Sequence, residues 1–142
     1  MSEEIQTGPL TIRFRIDASQ SNGALAMFEF TVPAGAKVPM PHYHESFDET
    51  IYGVEGLLTF TVDGKTLAIG PGDSCFIPRG VVHGFVNTSA GDAKALAIVT
   101  PGLMSPDYFR KLGELVNAGG PPDIEQVKAL MAQYGLVPVA AK

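Results

Sequence analysis

Residues 49–70, Glu49-TIYGVEGLLTFTVDGKTLAI-Gly70, hold three short apolar stretches broken by glycine and by one hairpin signal. Asp63-Gly64 separates Leu57–Val62 from Lys65–Ile69, and glycine in the second turn position accepts the positive φ of a type I′ turn. Glu49–Val54 is the stretch before them. The same texture continues outward in both directions. Leu10–Asp17 alternates Leu10, Ile12, Phe14 and Ile16 with Thr11, Arg13, Arg15 and Asp17, the period of two of a half-buried strand. Ala24–Val32, Val38–His44, Ser74–Ile77, Val81–Asn87 and Ala93–Thr100 complete the predicted strands, with turns at Pro33-Ala-Gly35, Gly70-Pro-Gly72 and Pro78-Arg-Gly80. Many short strands with no helix among them predict an all-β fold, a sandwich or closed barrel.

The chain changes character after Thr100-Pro-Gly102. Ser105-Pro106-Asp107 reads as a helix opening, with serine as cap, proline at the first helical position and an acid at the positive end of the dipole. Tyr108, Phe109, Leu112, Leu115 and Val116 follow at helical spacing until Gly119-Gly120-Pro121-Pro122 breaks the run. Asp123 with Gln126 resembles a capping box for a second helix, whose apolar face is Ile124, Val127, Leu130, Met131 and Tyr134, with Gly135 as its stop. The expected organisation is a β-barrel domain over residues 1–103 and a helical appendage, 104–142, packed on the same domain.

Composition narrows the function classes. The 142 residues are 45% hydrophobic and 18% charged, which is enough apolar material for a packed core. A net charge of −5 and a pI near 5.0 speak against nucleic acid or an anionic membrane as the main partner. Cys75 is alone and forms no internal disulfide. The opening MSEEIQTGPL is acidic and lacks the basic and apolar regions of a secretion signal. No apolar run approaches the roughly 18–20 residues of a membrane helix. A soluble cytoplasmic protein is the expectation.

All three histidines fall where strand geometry makes their spacing informative. His42 and His44 are two apart, so an extended strand projects both from one face. Glu49 follows across the turn Glu45–Asp48, and its strand is expected to pair antiparallel with that of His42 and His44. His83 lies in Val81–Asn87. Three neutral imidazoles and a carboxylate suit one divalent transition metal ion, with iron, manganese, nickel, copper and zinc all open, whereas magnesium and calcium prefer oxygen cages. Spacing alone leaves ordinary core or surface histidines equally open.

The segment Gly35-AKVPMP-His42-Tyr-His44-ESFD-Glu49-TIYGVE-Gly56 resembles the first motif of the cupin superfamily, G-x5-H-x-H-x(3,4)-E-x6-G, with one extra residue between Gly35 and His42. Gly72-DSCFI-Pro78-Arg-Gly80-VV-His83-GFV-Asn87 matches the second, G-x5-P-x-G-x2-H-x3-N, at every position. The resemblance is to small single-domain cupins of the quercetin-dioxygenase-like type. It implies a cupin β-barrel (double-stranded β-helix, or jelly roll) with His42, His44, Glu49 and His83 as metal ligands. The glycines and Pro78 become turn formers and Asn87 a structural residue. Four protein ligands leave one or two positions open on a five- or six-coordinate ion, where substrate, water or dioxygen binds.

Around the ligands the sequence is apolar and aromatic. Period-two logic puts Met40 on the face of His42 and His44, Ile51 on that of Glu49 and Phe85 on that of His83, either lining a substrate pocket or filling the barrel. Tyr43 and Tyr52 are expected to point outward. Arg79 reads as an anion contact or a solvated loop residue, and Asp48 as a proton-transfer group beside Glu49 or a solvated one. Cys75 reads as a buried structural thiol. Met104, Tyr108 and Phe109 close the barrel mouth or pack the helical core. The resulting expectation is a metal-dependent, dioxygenase-like oxidoreductase for a small, largely apolar or aromatic substrate, with Glu49 a candidate proton acceptor. The alternatives are a non-catalytic metal or small-ligand sensor and an oxygen-independent isomerase or lyase. A homodimer is expected from the alternating strand Leu10–Ile16, read as an open edge, and from the outward tyrosines.

Overall fold

The computed structural model describes residues 3–37, 40–117 and 119–139. Its strands are β1 (Glu4–Thr7), β2 (Leu10–Ile16), β3 (Ala26–Val32), β4 (His42–His44), β5 (Asp48–Glu55) and β6 (Leu58–Val62). They continue with β7 (Lys65–Ile69), β8 (Ser74–Ile77), β9 (His83–Val86) and β10 (Ala93–Thr100). Two helices follow, α1 (Pro106–Val116) and α2 (Ile124–Gln133), before a short β11 (Leu136–Pro138). The strands form two antiparallel sheets, a six-stranded one ordered β1-β2-β3-β10-β5-β8 and a five-stranded one ordered β11-β4-β9-β6-β7. This is the double-sheet arrangement of a jelly roll.

The decisive hairpin forms as its turn residues dictate. Asp63 and Gly64 take φ of 52° and 76°, and Val62 pairs with Lys65 across them. In the six-stranded sheet the inner face is read by alternation. Ala26, Phe28, Phe30 and Val32 of β3, and Ala93, Ala95, Ala97 and Val99 of β10, are all buried. From the other sheet Leu58 and Phe60 join the same core. The small alanines of β10 lie beside the large residues of β3, with Ala95 paired to Phe30 and Ala97 to Phe28.

Several expectations need correction. Of Val38–His44, the described residues form a strand only at His42–His44, and Val38 and Pro39 lie outside the described residues. Leu10–Ile16 is not an open edge, because β1 covers it from Glu4↔Arg13 to Thr7↔Leu10. The four residues of β1 are too few and too polar to show a period, so the sequence does not announce it. β11, which pairs Leu136 with His44 and Pro138 with His42, is equally silent in the sequence. The strand of Glu49 does not pair with that of His42 and His44. β5 sits between β10 and β8 in the opposite sheet. Only Glu45, Ser46 and Phe47 join β4 to β5, and full burial of Phe47 carries the chain across the core instead of into a hairpin.

The helices start where their caps are. Ser105 accepts from the Tyr108 amide, and Asp123 accepts from the amides of Glu125 and Gln126. α1 packs on β1 and α2 on α1 and β11. Thr7 donates to the Phe109 carbonyl at 3.1 Å, and Asn117 bridges the Gln6 carbonyl and the Gly8 amide at 2.7 and 2.8 Å. Among the described residues no helix is long and apolar enough to cross a membrane.

Asn87 shows what the second motif does structurally. Fully buried, it donates to the carbonyls of Val32 (2.9 Å) and Gly91 (2.8 Å) and accepts from the amide and hydroxyl of Ser89. Asn87→Ala leaves the buried Val32 carbonyl without its donor and unties the Ser89–Gly91 loop, which solvent reaches. Each such loss costs about 1–3 kcal/mol, so urea denaturation is expected to show about 3 kcal/mol less stability. A loss under about 1 kcal/mol would refute the structural role.

Candidate metal centre

Strand pairing assembles the histidines. His42 is the register partner of His83 across β4 and β9, and His44 lies two residues along the same face. The ring centroids are 4.7 Å apart for His42–His83 and His44–His83, and 5.1 Å for His42–His44. One nitrogen from each ring lies within 4.8 Å of the others. Glu49 arrives from β5 in the facing sheet and touches this cluster at His83, with its Oε1 3.5 Å from Nε2. All four side chains are buried.

The rings are oriented for metal binding. His42 Nδ1 lies 3.0 Å from the Met40 carbonyl and His83 Nδ1 3.0 Å from that of Val81. A carbonyl only accepts, so Nδ1 carries a proton in both rings; Nε2 of His42 keeps its lone pair, while Nε2 of His83 faces the Glu49 carboxylate. The buried Nε2 of His44 has no hydrogen-bond partner among the described residues, which is costly unless something else binds it. Its ring stacks on Phe47 instead, at 4.3 Å and 22°.

The electrostatics agree with that fit. Burial, then repulsion from His83, lowers the pKa of His42 to about 4; burial lowers that of His44 to about 3. Both are therefore neutral donors at neutral pH. Burial alone would raise Glu49, but the His83 imidazole beside its Oε1, and after it the other two rings, hold its carboxyl below the ordinary range. Burial opposes protonation of His83, yet Glu49 raises its pKa overall. Three neutral-capable imidazoles and one carboxylate are a donor set for a divalent transition ion.

Met40, Ile51 and Phe85 line one cavity of about 300 Å³ together with His42, His44, Glu49 and His83. Met104, Tyr108 and Phe109 line it too. Sequence reasoning does not reach Phe28, Phe30, Leu112, Val127 and Met131 in this lining, because they come from elements distant in the chain. Tyr52 is exposed, as expected for an outward side chain.

Asp48 and Arg79 are neither free nor part of the cavity lining. The Asp48 carboxylate accepts from the Arg79 amide at 2.8 Å and from its guanidinium at 3.3 and 3.2 Å. This pair ties the Pro78–Gly80 turn to the start of β5, while the Gly80 amide donates to the His44 carbonyl at 2.8 Å.

Half-buried Cys75 is a poor nucleophile. Burial, assisted by the Glu49 charge, pushes its thiol up to about 11. The thiolate is the reactive form, so labelling by a disulfide reagent at pH 8 is expected to be at least tenfold slower than for free cysteine. The rate should climb with pH through 9 and 10. Labelling at the free-cysteine rate would contradict this placement.

Comparison with known proteins places this geometry in context. The chain is 34% identical over 102 residues to quercetin 2,3-dioxygenase of Bacillus subtilis, covering 70% of this chain and 29% of that protein. It is 33% identical over 78 residues to an oxalate-binding protein of Thermotoga maritima, 55% of this chain and 64% of that one. The chain thus spans less than two thirds of the length of these curated relatives. The crystal structure of the polyketide cyclase RemF from Streptomyces resistomycificus superposes with a TM-score of 0.60 at 26% identity, covering 79% of this chain and 92% of that one. The Cupin_2 family model, described as the cupin domain, matches residues 28–99, and with both motifs converging on one buried cluster the chain belongs to the cupin family.

Proposed function

We propose that the chain is a metal-dependent, dioxygenase-like enzyme acting on a small, largely apolar or aromatic molecule at a centre made by His42, His44, His83 and Glu49. The observation that carries this reading is the donor cluster opening into an apolar cavity of about 300 Å³. The similarity to quercetin 2,3-dioxygenase supports the aromatic substrate and the oxygen chemistry. A divalent transition ion held by His42, His44, His83 and Glu49 would supply a Lewis acid that polarises a substrate oxygen. The chain's own residues do the rest. The Met40 and Val81 carbonyls fix two rings, and Phe47 fixes the third. The cavity wall is mostly apolar, and Glu49 holds a negative charge beside His83 where it can accept a substrate proton at Oε1.

Oxygen uptake by metal-replete protein with a panel of flavonols and aromatic enediols tests the reading. Consumption that tracks substrate loss is the expected result; none with any member removes the oxygenase assignment. A second reading, an oxygen-independent isomerase or lyase, draws support from the likeness to a polyketide cyclase, and anaerobic turnover would favour it.

A homodimer belongs to the same proposal. On the outer face of the six-stranded sheet the register aligns Met27, Ile98, Thr50 and Phe76 in one row, with Leu96 beside Tyr52 in the next. Phe76 is 57% exposed and Tyr52 45%. An exposed apolar row of this kind, bordered by the charged group of Glu29 and Arg13, matches itself about a two-fold axis. Light scattering at micromolar concentration is expected to give a dimer that Phe76→Glu converts to a monomer. A monomeric wild type would refute it.

A further inference from the structure

The cavity is larger than a metal site needs, and its walls are unequal. One wall carries the three histidines and Glu49; another is contributed by Leu112 of α1 and by Val127 and Met131 of α2. An unbroken series of ring contacts joins the two regions. Phe60 meets Phe85 at 5.4 Å, Phe85 meets Phe30 at 5.4 Å, Phe30 meets Phe28 at 6.2 Å, and Phe28 meets Phe109 of α1 at 5.1 Å. Phe85 is two residues from His83 on β9, so the series starts beside a metal-binding ring and ends on a helix. All five rings line the same cavity.

Polar groups along this path are few. Thr7 gives its proton to the Phe109 carbonyl. Beyond the histidines and Glu49, the ionisable groups on the lining are Lys37, which is exposed, and Tyr108, which burial keeps neutral. A charged or heavily hydroxylated tail would lose its hydration along that wall with little in return, whereas an aromatic or acyl tail gains contact with five rings and the helix side chains.

We infer that the cavity takes a two-part ligand, an oxygen-chelating head at the histidines and an uncharged aromatic or acyl tail running along the phenylalanine wall to α1 and α2, with Leu112 and Met131 setting the tail's length. The inference rests on the metal reading for the head only. The tail subsite is a property of the wall and the helices, and it exists in the metal-free protein.

Two diketones separate the parts. Cobalt(II)-loaded protein is titrated with 2,4-pentanedione, which is a head alone, and with 1-phenyl-1,3-butanedione, which adds a phenyl tail. The visible cobalt spectrum is the readout, and each affinity is referred to that diketone's affinity for free cobalt(II). The phenyl compound is expected to bind at least tenfold tighter. Leu112→Trp should erase that gain while leaving pentanedione within twofold, and Met131→Phe, a smaller change, should reduce it. The chain contains no tryptophan, so any tail that still enters Leu112→Trp would show in that variant's own fluorescence, which is expected to stay unchanged. In parallel, metal-free wild type is expected to bind the neutral dye N-phenyl-1-naphthylamine, and Leu112→Trp to bind it at least tenfold more weakly. Equal affinity for the two diketones, or a gain that survives both substitutions, overturns the tail subsite. A cobalt spectrum indifferent to both diketones, with dye binding still lost in Leu112→Trp, would instead overturn the metal reading and leave the subsite standing.

Discussion

His44→Ala protein, purified without chelator, is expected to carry less than a tenth of the transition metal found in wild type. His44 has the strongest structural reason to be a ligand. Its Nε2 is buried without a partner among the described residues, its ring is held by Phe47, and burial keeps it neutral at neutral pH. At the proposed four-donor centre, removing one donor leaves a site that binds far more weakly, because the remaining three no longer enclose the ion. The measurement is elemental analysis beside a thermal melt with and without EDTA. A ligand at a thousand times its Kd stabilises by about 4 kcal/mol, so EDTA should lower the wild-type Tm by many degrees and leave His44→Ala unmoved. His83→Ala should behave alike. Phe47→Leu, which keeps the volume roughly but removes the stacked ring, should weaken metal retention several-fold with a smaller loss of stability. Equal metal in wild type, His44→Ala and His83→Ala would refute the centre.

The histidines are legible in the sequence because strand geometry is local. Two residues apart on an extended chain means one face, and the structure brings His42 and His44 to one face of β4. Phe85 next to His83 and Met40 next to His42 follow the same rule. Glu49 comes near the histidines by a different route from the one its spacing suggests. A five-residue step suggests a hairpin, yet the chain crosses between sheets, and the carboxylate approaches from the opposite side of the cavity. Spacing alone does not distinguish a hairpin from a crossing. The signal lies in Phe47, whose complete burial requires the connection to dive through the core.

The helices and the Asp63-Gly64 turn are legible for a related reason, since caps and turn residues act on their immediate neighbours. β1 and β11 are not. Each is only a few residues long, and each is a strand because a partner already present in the fold offers free hydrogen-bonding groups. β11 illustrates the consequence. Val137 pairs with Tyr43 between the two histidines of β4, so a segment beyond both helices braces the strand that carries two of the donors. The cavity's far wall is hidden for the same cause: Leu112 and Met131 look like ordinary core residues of amphipathic helices until the sheets they cover are known to be hollow beneath them.

Gly53→Ala is expected to prevent stable folding, a cost above about 4 kcal/mol, the range reserved for a few disruptive mechanisms. A Cβ on Gly53 would lie 2.1 Å from the Gly70 carbonyl oxygen and 2.8 Å from its carbon. These are backbone atoms with nowhere to go. The Gly53 amide donates to the Asp73 carbonyl at 2.8 Å and its own carbonyl accepts from Gly72 at 2.9 Å, while Asp73 Oδ2 takes the Gly70 amide at 3.0 Å. The 70–73 turn is thus stapled onto β5 at the point of closest approach, and yielding would break several hydrogen bonds in the strand that carries Glu49. Gly64→Ala is the matching control. Gly64 has φ of 76° but nothing within 4 Å of the place an added methyl would take, so the substitution meets only the left-handed backbone penalty of about 1–2 kcal/mol. Soluble expression and urea denaturation of the two variants compare a backbone collision with a conformational cost on the same scale. If Gly53→Ala proved as stable as Gly64→Ala, the packing of the 70–73 turn against β5 would have to be abandoned, and with it the account of how β5 is held in place to deliver Glu49.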